Sequence, residues 1–171
     1  MQTLVVRELQ LEETDVRLVG QDIHYFSLHE ALPPGRILAL HRTVGTLSYL
    51  AIVGEGTLPR LVTQQRLTQS EMLLLFPLVE SFPYYCPYEV LYAHFYYRSV
   101  TDGVIACCRS SFQKAREEGI WDREIRSVRN MASRLRSKLR PFGLELRALL
   151  DAGYLLGIGA MPNGSKNAPG G

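Results

Sequence analysis

The chain has 171 residues, 46 % of them hydrophobic and 21 % charged, with a formal net charge of +2. That apolar share supports a packed core and argues against a disordered chain, while so small a positive excess does not by itself mark a nucleic-acid binder. Three cysteines, Cys86, Cys107 and Cys108, supply neither a disulfide framework nor paired metal spacing. With no basic-then-apolar start and no apolar run long enough for a bilayer, the expected setting is the cytoplasm, with no membrane partner.

The first part reads as strands. "TLVVREL" (3–9), "DVRLVG" (15–20), "DIHYFSL" (22–28), "RILALHR" (36–42), "TLSYLAIV" (46–53) and "RLVTQQR" (60–66) are short runs rich in Val, Leu, Ile and Tyr. Gly and Pro clusters separate them, including "VGEGTLP", which has a turn's composition and lacks the Lys-Ser/Thr of a phosphate loop. Residues 1–66 are expected to form an antiparallel β-rich part.

The period then changes. Thr68, with Glu71 three residues on, makes a capping box, and Met72, Leu75, Phe76 and Val79 follow at helical spacing, so a helix is expected over 69–81 with Pro77 as a kink point. Pro87 suits a first helical position, and Tyr88, Leu91, Tyr92 and Phe95 give the next helix one apolar face. Thr101 or Asp102 caps a third helical stretch that Gly119 stops. A fourth helix is expected over about 122–140. "LELRALL", a tight "DAG" and "YLLGIG" then read as a β-hairpin, and 159–171 as a disordered Gly/Pro-rich tail.

Charge is concentrated on the fourth helix. From Asp122 to Arg147 there are eight Arg or Lys and three acidic residues, whereas residues 1–66 hold six basic and seven acidic. In "RSVRNMASRLRSKLRPFG", at about 100° per residue, Ile125, Val128, Met131, Ala132, Leu135 and Leu139 gather on one side. Arg123, Arg126, Asn130, Ser133 and Ser137 fall opposite. Acidic partners four residues away are nearly missing from the polar side, which a merely solvated helix normally interleaves with both signs.

Two motifs carry a family resemblance. "LTQSEMLLLFPLVESFPYYCPYEVLYAHF" resembles the opening of the OmpR/PhoB class of DNA-binding domain, where Leu-Thr-x-x-Glu leads into the first helix. "VRNMASRLRSKLRPFGLELRALLDAGYLL" is similar to that family's recognition helix and wing, with 133–139 matching an xRLRxKL core and Gly153-Tyr154 the hairpin's Gly-Tyr. Over about 67–157 the resemblance implies a winged helix-turn-helix. It places Arg126, Ser133, Arg134 and Arg136 where the family touches phosphates or base edges. The sequence departs from the pattern in three ways. Ala148-Leu149-Leu150-Asp151 stands for the wing's Thr-x-Arg-Gly, leaving Arg147 as a partial substitute. A helix-length insertion, 101–119, precedes the recognition helix. No receiver-like phosphoacceptor pattern occupies 1–66.

The side-chain chemistry points the same way. A helix fits the B-DNA major groove; Arg126, Arg129, Lys138 and Arg140 suit phosphates, while Asn130, Ser133 and Arg134 carry donor and acceptor sets that can read bases. Arg123, Arg136, Ser137 and Arg147 complete the expected DNA-binding set.

Other features have plainer readings. The aromatic run 82–97 reads as rings packed into the core, with an aromatic ligand pocket or a protein-binding patch as its alternative. Cys107-Cys108 reads as a pair of small buried helix residues, and His24, His29, His41 and His94 show no ligand spacing. Neither a nucleophile elbow nor a paired-carboxylate arrangement occurs, so no enzyme, cofactor or metal is expected.

The expectation is an α+β chain with a β-rich part (1–66), a winged helix-turn-helix carrying an extra helix before the recognition helix (67–158), and a tail (159–171). Its expected work is sequence-specific binding of double-stranded DNA as a bacterial transcriptional regulator, in a homodimer on adjacent half-sites. The alternative is a winged helix serving as a protein-interaction module, through the aromatic segment or the N-terminal sheet.

Overall fold

A computed structural model describes residues 22–29 and 31–159. The strands expected at 3–9 and 15–20, and all but the first residue of the expected tail, lie outside the described residues. The described chain is α+β. It opens with an antiparallel meander of β1 (Ile23–Phe26), β2 (Arg36–His41), β3 (Thr46–Ala51) and β4 (Arg60–Arg66), in that spatial order. Alternation decides its inner face: Leu38 lies opposite Tyr49 and Leu40 opposite Leu47, and all four are buried. Outer strand β4 exposes Leu61 and Val62 between Arg60 and Arg66, end charges that discourage strand addition.

Helix α1 (Gln69–Ser81) has the bounds its pattern predicts, and Pro77 is accommodated within it. Thr68 Oγ1 accepts from the Glu71 N–H at 3.3 Å while Glu71 Oε2 accepts from the Thr68 N–H at 2.7 Å, so two otherwise orphaned donors are satisfied. Phe76 of this helix meets the sheet edge-on, 4.9 Å from His24 and 6.3 Å from Phe26, under the Arg42 guanidinium.

Two sequence expectations need correction after α1. A short strand, β5 (Cys86–Pro87), precedes α2 (Tyr88–Tyr96), and Pro87 stands at that helix's N-cap rather than at its first position. Its extended backbone (φ −63°, ψ 152°) pairs with Gly153, a long-range bond that local pattern does not reveal. Second, the single helix expected over 122–140 is two. Helix α3 (Asp102–Glu117), capped by Thr101 and followed by Gly119 at φ 72°, leads to α4 (Trp121–Glu124) and then α5 (Arg126–Leu139). Buried Ile125, at ψ 0°, is the joint. The bend lets α4 follow α3 and the hairpin tip while α5 lies along α1.

After a 3₁₀ turn at Arg140–Phe142, β6 (Leu144–Leu149) and β7 (Gly153–Ile158) form the hairpin, and β5 adds to β7 in the order β5-β7-β6. Leu144, Leu146, Tyr154 and Leu156 turn inward; Glu145, Arg147, Leu149 and Leu155 take the other face. One core runs through both sheets and the helices, joining Leu40 and Leu47 to Leu75, Leu135, Leu139 and Leu146. Among the described residues no helix is long and apolar enough to cross a membrane.

Candidate nucleic-acid interface

Helix α5 is anchored by Val128, Ala132, Leu135 and Leu139, all without solvent exposure. The opposite side carries Arg126, Asn130, Ser133, Arg134 and Ser137, continued past its end by Arg140, at steps of three and four residues. These six are exposed and form no ion pair or side-chain hydrogen bond among the described residues. The first turn of α5 holds no acidic residue and no side chain caps it.

The remaining expected cations are engaged within the protein. Lys138 Nζ reaches Glu71 Oε2 at 2.6 Å and the Arg66 carbonyl at 3.0 Å. Glu71 is buried, which alone would raise its pKa, but hydrogen bonds from Lys138 and Thr68 and the Lys138 charge hold it below the usual carboxylate value. Arg136 Nε donates to the Leu146 carbonyl at 3.0 Å. Arg129 pairs with Asp122 at 2.7 Å and Asp151 at 3.8 Å. Arg123 lies 3.7 Å from Glu124, and Arg147 lies 3.0 Å from Glu145. The expected set therefore divides into an open stripe of six and five cations with internal partners.

The hairpin runs back along α5. Arg136 meets β6 partway along, and the tip arrives beside Arg129 near the start of the helix. At the tip Asp151, at φ 55°, accepts from the Trp121 indole N–H at 3.1 Å. Its carbonyl accepts from Arg116 at 3.0 Å, and the Arg116 guanidinium lies 4.0 Å from the centre of the Trp121 ring. Edge-on rings continue the connection, from Phe112 to Trp121 (5.0 Å), Trp121 to Tyr88 (5.5 Å) and Tyr88 to Tyr154 (5.7 Å).

Sequence reasoning gives Trp121 no role, and reads Asp151 as part of the hairpin's tight turn and as a departure from a motif, with no partner assigned. The available signal was the chain's one Trp placed directly after a helix stop. The aromatic run is only partly core: Tyr88 is buried and Tyr92 packs on Phe112, whereas Tyr84, Tyr85, Tyr96 and Tyr97 are exposed. Among the described residues no cluster of three or more His, Cys, Asp or Glu could hold a metal ion. Comparison of the chain with protein-family models, curated proteins and solved structures finds no match.

Proposed function

We propose that this chain binds double-stranded DNA sequence-specifically, as a winged helix-turn-helix with α5 as recognition helix and β6–β7 as wing, and that it serves as a bacterial transcriptional regulator. The observation that carries the reading is the open stripe Arg126, Asn130, Ser133, Arg134, Ser137 and Arg140 on a helix whose other side is anchored in the core by Val128, Ala132, Leu135 and Leu139. Such a helix presents donors and acceptors to the major groove without first breaking internal bonds. Arg126 and Arg140, at the two ends of the stripe, suit the flanking backbones, and Asn130 and Arg134 suit base edges. A homodimer on two half-sites is the assembly that would give such a module useful affinity.

A second reading, a winged helix that docks on protein, is favoured by the apolar tip, where Leu150 is 90 % exposed, and by exposed Tyr84 and Tyr85. A salt titration of binding to random duplex separates the two. DNA binding predicts a steep loss of affinity with salt and weaker binding by Arg126→Ala and Arg134→Ala. Salt-insensitive or absent duplex binding, unmoved by either substitution, would reject the DNA reading. Selection from a random pool would then identify the operator.

A further inference from the structure

The insertion between α2 and α5 ends in a bonded contact with the hairpin tip. Two hydrogen bonds and one 3.8 Å ion pair converge on Asp151. The Trp121 indole and the Arg129 guanidinium reach its carboxylate, and Arg116 takes its carbonyl while stacking on Trp121. Those partners come from α3, α4 and α5, so one residue at the tip is tied to every element leading into the open stripe. Behind it the rings of Phe112, Trp121, Tyr88 and Tyr154 form an edge-on series from the insertion into β7. Backbone bonds hold the base of the tip, from the Tyr88 N–H to the Ala152 carbonyl at 3.0 Å and from the Ala152 N–H to the Leu149 carbonyl at 3.1 Å, while Leu150 projects into solvent and Asp151 lies in the left-handed region.

We infer that Asp151, held by Trp121 and Arg116, is a positioning residue that sets the placement of the hairpin tip against the start of α5, and that the inserted helix α3 exists in this fold to supply that hold. The inference rests on the DNA reading of α5 and deepens it. Asp151 touches no nucleic acid in this scheme, since a carboxylate beside phosphates is repelled. It acts by keeping the tip and Arg126 at one separation, so that both meet the duplex without a further ordering cost. It also occupies Arg129, so this arginine sets geometry and does not bind a phosphate.

The test uses the full chain, with the chain's lone Trp as a probe of the tie. Asp151→Ala should shift Trp121 emission to longer wavelength as the ring gains water, whereas Asp151→Asn, which keeps an acceptor for the indole N–H, should stay close to the parent. On duplex DNA, Asp151→Ala should bind roughly tenfold more weakly, the net worth of one charge-assisted hydrogen bond, with the slope of log affinity against log salt unchanged. Arg126→Ala, by contrast, should make that slope shallower by about 0.9. Trp121→Phe, which keeps a ring on Phe112 and Tyr88 but has no N–H, should match Asp151→Ala on DNA and covers the case in which that variant folds poorly. Parental affinity in Asp151→Ala and Trp121→Phe, with the emission shift present, overturns the positioning role alone. A changed salt slope in Asp151→Ala makes it a charge effect and also overturns it. A parent protein with no duplex affinity removes the DNA reading and the inference together.

Discussion

Lys138 and Glu71 are 67 residues apart in the chain and 2.6 Å apart in space, so the most basic helix of the protein is fastened by one of its own cations to the capping box of α1. Glu71 thereby serves two helices at once. Its carboxyl titrates below the ordinary value of 4.5 because the bonds from Lys138 and Thr68 outweigh the effect of burial. A group with a lowered folded pKa contributes its full stability above the unfolded pKa and loses it as pH falls through the folded value. Thermal midpoints should therefore drop as pH falls below about 4.5. In Glu71→Gln that acid-side slope should flatten, with stability at neutral pH lower by about 2 kcal/mol. An unchanged acid slope in the variant, followed by calorimetry, would remove Glu71 from the account.

Leu150, at the tip of the proposed wing, is almost fully exposed. Leu150→Arg should tighten duplex binding several-fold and steepen the salt slope by about 0.9, while leaving the melting temperature unchanged. A salt slope equal to the parent's would mean that the tip does not approach phosphates.

Gly153 shows how tightly β5 is seated against β7. A Cβ built there would lie 2.0 Å from the Cys86 carbonyl oxygen and 2.9 Å from Pro87 Cα, both backbone atoms in a ladder with no room to shift. Gly153→Ala should cost about 3 kcal/mol in urea unfolding. Gly119→Ala makes the comparison, because its φ of 72° is strained for alanine but the surrounding space is open. About 1 kcal/mol is expected there. Equal costs at the two positions would show that the crowding at Gly153 does not matter.

The three cysteines should differ sharply in reactivity. Burial pushes the Cys86 thiol up to about 12 and raises Cys108 as well, whereas Cys107 is exposed. Since the thiolate is the reactive form, iodoacetamide at pH 8 should label native protein once, at Cys107, and three times after denaturation. Native labelling at Cys86, read by peptide mass spectrometry, would contradict the buried β5.

Where neighbours along the chain decide the structure, the sequence reading reached it closely. The capping box at Thr68 and Glu71 located α1, Thr101 and Gly119 bracketed α3, and short runs rich in Val, Leu, Ile and Tyr between Gly and Pro turns identified four described strands. The buried side of α5 followed from its period. What escaped depends on partners distant in sequence: β5 exists because Gly153 lies across from Pro87, and α4 separates from α5 because Trp121 and Ile125 serve different neighbours. The same limit applied within the candidate site. Helical phase assigned Arg126, Asn130, Ser133 and Ser137 to the open side, but Arg129, Arg136 and Lys138 sit on its flanks. There the choice between solvent and an internal partner was made by Asp122, the Leu146 carbonyl and Glu71.

The shared core has a consequence for how the chain can be cut. Tyr49 of the meander sits edge-on to Phe142 beyond α5, and Phe76 of α1 is enclosed by rings from β1. Removing the described sheet would uncover the apolar side of α1 and the base of α5 together. The buried cluster crosses the change of pattern near residue 66, joining Leu38, Leu40, Leu47 and Tyr49 to the helices that follow. Sheet and helices should melt in one cooperative transition, and a fragment beginning at residue 67 should behave as an incomplete core with its largest apolar surface newly wet.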